Sequence, residues 1–163
     1  MNFSVPLVLL LWILAIAAEA KDTHLMRKEL SADCKEGWKS YQNHCYAFFD
    51  QNVNWFQGQM YCNQYGGTLV NIENYEENAW IATQFTRSSI WIDATDIGNE
   101  GVWRSFSTCQ PTLNNWSPGN PDNWRGSQNC ATINFGGPGT WDDDNCFTNH
   151  TFICESLGTR MDI

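Results

Sequence analysis

The stretch GNPDNWRGSQNC, residues 119–130, sets two oxygen-bearing side chains, Asn120 and Asp122, on either side of Pro121, with Trp124 two residues further on. Asn-Pro-Asp is ordinary turn chemistry, so the stretch alone reads first as a turn and second as oxygens held apart for a ligand. A second concentration of oxygen is WDDD, residues 141–144. General acid–base work by paired carboxylates needs one of them raised in pKa by an apolar pocket, and this region reads wet and acidic. His24, His44 and His150 are scattered, and no Ser-His-Asp or Cys-His arrangement emerges from them. The same scatter, with no C-x-x-C pair, argues against zinc. The expectation is a binding protein, not an enzyme.

Such residues need elements to position them. Trp55, Gly58, Cys62 and Tyr65 fall on one face of a helix over about 54–65, and Gly66-Gly67 stops it. A second helix starts at Asn74, whose side chain caps while Glu77 completes a capping box; Trp80, Ile81 and Phe85 give it an apolar side. Extended runs are HCYAFF, TLVNI, SIWIDA, CATINF and TFICE, rich in β-branched and aromatic residues. Between Ser107 and Gln128 the chain is rich in Pro, Gly, Asn and Ser but carries Trp116 and Trp124. Long irregular loops in compact domains are usually functional or disordered, and two tryptophans argue against disorder.

Residues 1–20 read as a secretory signal peptide: an apolar core from Val5 to Ile16, then Ala18-Glu19-Ala20, although no Lys or Arg precedes the core. Nothing later is apolar for long enough to cross a bilayer, so a secreted protein without membrane insertion is expected. Seven cysteines agree with an oxidising destination; six can form three bridges, with the pairing open, and one is left over. The formal net charge is −9, one unit of it from Glu19 in the signal. Such a surface repels phosphate backbones, which excludes nucleic acid as a natural partner, and it can concentrate cations such as calcium. Nine tryptophans exceed what most small cores use. Indoles are core filler by default and also good platforms for the apolar faces of sugars.

Taken together, CKEGWKSYQNHCY (34–46), WFQGQMYCNQYGGTLVNI (55–72), WIDATDIGNEGVW (91–103), NNWSPGNPDNW (114–124), CATI (130–133), GTWDDDNC (139–146) and FICE (152–155) resemble a long-form C-type lectin domain. The resemblance implies an α+β fold with two helices, antiparallel sheets and a long calcium- and sugar-binding loop. Its boundaries would be a signal at 1–20, a short polar segment at 21–33, the lectin domain at 34–155 and a tail at 156–163. The implied bridges are Cys34–Cys45, Cys62–Cys154 and Cys130–Cys146, which leaves Cys109 for an intermolecular disulfide and a homodimer.

In sugar-binding members of that family a calcium ion sits in the long loop and two sugar hydroxyls complete its shell. The matching ligand positions here are Asn120, Asp122, Gln128, Asp142 and Asp143, with Asn120, Asp122, Trp124, Gln128 and Asp142 contacting sugar. Each departs in part from the family pattern: N-P-D replaces E-P-N or Q-P-D, Gln128 stands where Glu is usual, and W-D-D replaces W-N-D. Three carboxylates and two amides nevertheless remain, as in the E-P-N set. With the main-chain carbonyl of Asp143 and two hydroxyls they supply about eight oxygens, within the range Ca²⁺ takes. The family also implies a cis bond before Pro121.

Amide first and acid second is the family's galactose order, because reversing the two reverses the donor pattern offered to the hydroxyls. Trp124 stands where galactose binders place a stacking indole. The implied function is therefore a secreted calcium-dependent lectin of galactose or N-acetylgalactosamine type, acting in recognition or agglutination of microbes or cell-surface glycans. The alternatives are a mannose-type lectin and a relative that binds protein or mineral surfaces instead of sugar. A second family calcium site matches Asp96, Glu100, Asn123 and Asn129, where two carboxylates replace four; Asp96 and Glu100 are expected to hold a turn instead. Asp93, where the family usually has Gly, must face solvent or find a partner. Of two N-glycosylation sequons, Asn149 is expected to be modified and Asn115, which would crowd the sugar site, to stay free.

Overall fold

The computed structural model describes residues 33–159, together with Trp12, Ile16 and Glu19. The rest of the expected signal and polar segment, and the last four residues, lie outside the described residues.

The strands are β1 (Lys39–Tyr41), β2 (His44–Val53), β3 (Thr68–Leu69), β4 (Ile90–Thr95), β5 (Arg104–Ser105), β6 (Cys130–Ile133), β7 (Trp141–Asp144) and β8 (His150–Leu157); the helices are α1 (Trp55–Gln64) and α2 (Tyr75–Gln84). The sheet runs β1-β2-β8-β4-β6-β7, with β3 on β8 and β5 on β4. It is one mixed sheet, not separate antiparallel ones, because β4 runs parallel to β8 at Trp91 and Phe152. A bridge between Asp33 and Thr159 brings the two ends of the domain together.

Alternation along the strands sorts the side chains onto two faces. Ile90, Ile92 and Ala94 of β4 join Ile153 of β8, Ile133 of β6 and Ile81 of α2 in one apolar cluster. Trp91, Phe152 and Cys154 join Trp55 and Cys62 of α1 in the other. With a helix contributing to each cluster, all six residues of β4 are buried. Three buried indoles find acceptors for their N–H groups: Trp55 on the Ile92 carbonyl, Trp91 on the Val53 carbonyl and Trp141 on Asn78 Oδ1, at 2.8–2.9 Å. The bridges are Cys34–Cys45, Cys62–Cys154 and Cys130–Cys146, as the resemblance implied. Cys62–Cys154 ties α1 to β8 across a sequence separation of 92 residues. In the chain-entropy account a loop of that size contributes about 4–5 kcal/mol.

Both helix starts are where the sequence places them, with two differences. Asn54 caps α1 and forms a reciprocal capping box with Gln57. Asn74 caps α2 by accepting from the Glu77 N–H at 2.8 Å. The Glu77 carboxylate does not return to Asn74. It accepts from the Glu73 N–H at 2.9 Å and the Tyr46 hydroxyl at 2.8 Å, because a buried acid is better served by a tertiary donor. Tyr65, expected on the inner face of α1, is exposed at the helix end. Gly67 admits no side chain, since a Cβ there would run into the Glu155 carbonyl of β8.

Candidate functional site

The long loop hangs from the start of β7. Trp116 packs between Trp103 and Trp141, with ring centroids 4.6 and 5.7 Å away. Backbone bonds from Ser117 N–H to the Trp141 carbonyl (2.8 Å) and from Trp141 N–H to the Asn115 carbonyl (2.9 Å) clamp the same point. The loop therefore leaves and returns beside the three aspartates of β7. The strand character of WDDD was not legible from composition, as Asp is poor in strands. Its signal is the alternation, with Trp141 and Asp143 buried and Asp142 and Asp144 only half-buried.

The five expected ligand residues fall into two hydrogen-bonded sets, Asn120 with Asp142 and Asp122 with Gln128 and Asp143, which the chain joins at Pro121 and along β7. The Asn120–Pro121 bond is cis. Asn120 Nδ2 donates to Ser117 Oγ at 3.0 Å and also to Asp142 Oδ1. Asp143 is 0% exposed, and its two carboxylate oxygens accept from the Asp122 N–H (2.9 Å) and the Asn123 N–H (2.7 Å). The Trp124 N–H donates to Asp122 Oδ1 at 2.9 Å and to Gln128 Oε1 at 2.6 Å. Gln128 Nε2 in turn donates to the Asp143 carbonyl at 2.7 Å. Among the described residues no three His, Cys, Asp or Glu side chains form a ready metal cluster. Here two of the five donors are amides, and the carboxylates are turned towards backbone N–H groups and side-chain amides.

The charge distribution fits a cation. Asp142 is pushed up to about 6, first by burial and then by the neighbouring charges of Asp143, Asp144 and Asp122, with His150 opposing. Neither Lys nor Arg pairs with these carboxylates among the described ion pairs. The donors are all hard oxygens, the set that calcium takes. A bound divalent ion would be held by Asn120, Asp122, Gln128, Asp142 and Asp143, and it would relieve the repulsion that raises Asp142.

Trp124 is 59% exposed, so it is not a packing residue of the loop. Its ring is not bare, however. The Arg125 guanidinium lies over it, 4.0 Å from the ring centroid, a contact that sequence reasoning missed. Left-handed backbone at Asn123 (φ 43°), Arg125 (φ 61°) and Gly126 (φ 67°) brings the two side chains together.

The other singled-out residues are accounted for. Asp96 accepts from the Gly101 N–H at 2.7 Å, and Asn129 Nδ2 bridges Asp96 Oδ1 (2.9 Å) and Glu100 Oε2 (3.2 Å), so these residues do hold a turn. Asp93 finds partners: it is 1% exposed and accepts from Gln59, from Ser105 Oγ (2.8 Å) and from Ser107 N–H (2.9 Å) and Oγ (2.6 Å). Burial still raises its carboxyl above the usual range, because every donor is neutral. Asn115 Nδ2 donates to the Gly139 carbonyl at 2.6 Å, whereas Asn149 is exposed.

The Lectin C-type domain family model matches residues 51–156. Lectin BRA-3 of Megabalanus rosa is 35% identical over 123 residues, covering 72% of this chain and 74% of that one. The mouse scavenger receptor C-type lectin carbohydrate-recognition domain superposes with a TM-score of 0.72 at 31% identity, over 77% of this chain and 98% of that chain. A calcium-independent type II antifreeze protein also has a TM-score of 0.72, over 78% of this chain and 97% of that one, but at 23% identity it shares the fold alone. The chain belongs to the C-type lectin family. The family is one of carbohydrate-binding domains, and the relatives it matches are lectins, not enzymes.

Proposed function

We propose that this protein is a secreted, calcium-dependent lectin for galactose-type sugars, with its site on the 119–128 loop and β7. The observation that carries the reading is the pairing of Asn120 with Asp142 and of Asp122 and Gln128 with Asp143, two hydrogen-bonded sets adjoining along one turn and one strand beside an exposed indole. Calcium supplies the Lewis acidity that orients sugar hydroxyls at such a site. The chain's own residues decide which hydroxyls fit. Asn120 brings an amide that donates and accepts, and Asp122 brings a carboxylate that only accepts. A sugar hydroxyl therefore meets different partners at the two ends, in the galactose order. Asp143 builds the loop by fixing the amides of residues 122 and 123, and Trp124 offers an apolar ring face.

Within the reading, residues 1–20 are removed on secretion and the product acts on glycans of microbes or cell surfaces. No described helix is long and apolar enough to cross a membrane. Cys109 is exposed and unpaired, beside a hollow of about 390 Å³ that includes the exposed Phe106 and Val102. A disulfide between two Cys109 thiols would join two copies and give the pair avidity on a surface. The decisive experiment is retention on a galactose resin in millimolar calcium with elution by chelator and by free galactose. Retention that survives chelation, or release by mannose but not galactose, would replace the reading with another.

A further inference from the structure

Among the described residues the loop's one cation forms no ion pair. Arg125 is the only Lys or Arg between Arg104 and Arg160. It sits in a region whose other charged groups are carboxylates, yet the three ion pairs among the described residues are His44–Glu155, Arg87–Asp50 and His150–Asp144. Its guanidinium lies over the Trp124 ring at 4.0 Å, and the residue is exposed. The five N–H donors of a guanidinium lie in its own plane and point outwards from its edges. Those donors are then available to whatever lies against the indole.

Position makes this a question of selectivity. Trp124 donates its own N–H to Asp122 Oδ1 and Gln128 Oε1, so ring and guanidinium are tied to the donor network by the backbone of the same turn. The left-handed conformations at residues 123, 125 and 126 fix that turn. Three carboxylates with one divalent cation leave the site with a residual negative charge, which would repel an acidic sugar. Arg125 is the group that cancels it, and its planar fork matches the oxygens of a sulfate or a carboxylate.

We propose that Arg125 makes the loop selective for acidic galactose-type sugars, whose sulfate or carboxylate group it would meet at the edge of Trp124. The inference rests on the sugar-binding reading above and names the class of sugar that the site prefers. A neutral galactoside uses the hydroxyl partners and the indole; an acidic one uses these and the guanidinium as well.

The test is competition with a galactose resin in calcium, using galactose, sulfated galactose and galacturonate against the wild-type protein, Arg125→Gln and Arg125→Lys. Wild type is expected to bind one or both acidic sugars about two- to fivefold more tightly than galactose, the size of a charge-assisted contact at an exposed site. The sulfate and carboxylate arms tell which acid is read. Arg125→Gln should lose that preference while retaining calcium affinity and galactose retention, and Arg125→Lys should keep part of it. Higher ionic strength should shrink the wild-type preference. Equal affinity of wild type for all three sugars, or a preference that Arg125→Gln leaves intact, overturns the proposal. Acidic sugar held equally well in chelator overturns it too, since the guanidinium would then act apart from the loop's metal. A wild-type protein that binds none of the three sugars in calcium overturns the sugar-binding reading itself.

Discussion

Replacing Asp143 with alanine should destabilise the protein before any metal is added. The carboxylate is 0% exposed and accepts two backbone N–H groups, at 2.9 and 2.7 Å. A hydrogen bond to a charged group is worth about 1.5–3 kcal/mol, and the two here share one acceptor. Asp122 is exposed and Asn123 half-buried, so water recovers part of the loss. We expect a net cost of about 2–4 kcal/mol in chelator. In a domain of this size that corresponds to a fall in Tm of roughly 5–12 °C. Asp143→Asn, which keeps one acceptor but turns an NH₂ towards the second donor, should fall between the two. The assay is thermal unfolding by circular dichroism, first in chelator and then in calcium. Wild type should gain further stability in calcium through ligand linkage, and the alanine variant should gain little. Melts that coincide in chelator and separate only in calcium would show that Asp143 does nothing but bind metal, and would refute the loop-building role.

Gln128→Glu should raise calcium affinity about tenfold by titration calorimetry, since it adds a charge to the donor set and cannot donate to the Asp143 carbonyl as Gln128 does. Trp124→Ala should leave calcium affinity unchanged, because the bonds of Trp124 to the network are made by its backbone, while galactose weakens by about 1–2 kcal/mol and mannose much less. Parallel losses of calcium and both sugars would return the indole to a structural role. The Glu155 carboxylate holds His44 above its ordinary 6.5, so His44 contributes stability that is full below that pH and is lost as pH rises through the folded-state value. Melts of wild type and His44→Gln in chelator should converge towards alkaline pH; a constant gap across the range would contradict this. Non-reducing gels should show a dimer for wild type that Cys109→Ser abolishes.

What the sequence made legible follows from what local patterns encode. Asn54 and Asn74 are local signals, and both helices begin where they stand. Burial partners are not local. Glu77 satisfies the spacing of a capping box, yet its carboxylate is used by Tyr46, a residue 31 positions away. Asp93 looked unplaced in a strand pattern because its donors come from α1 and from the segment after β4. The three aspartates of β7 read as a concentration of charge, not as a strand, since their pairing to Cys130–Thr132 of β6 is set by tertiary contact. The Arg125–Trp124 stack depends on left-handed backbone at two non-glycine residues, which neither propensity nor spacing announces.

The permuted donor set has a structural consequence of its own. With glutamate at position 128 the side chain could only accept, and it would face the Asp143 carbonyl, another acceptor. Glutamine accepts from the Trp124 N–H and donates to that carbonyl at once, so it links the turn that carries the indole to the strand that carries Asp143. Asn120 links Ser117 and Asp142 by donating to both from its amide nitrogen. The two amides thus stand where a donor is required to bring carboxylate-bearing segments together without a cation between them. The price is that the Gln128–Asp143 bond must give way if both oxygens are to face an ion. Charge is kept by the carboxylates and coherence of the ion-free loop by the amides, which is why permuting them need not empty the site of function.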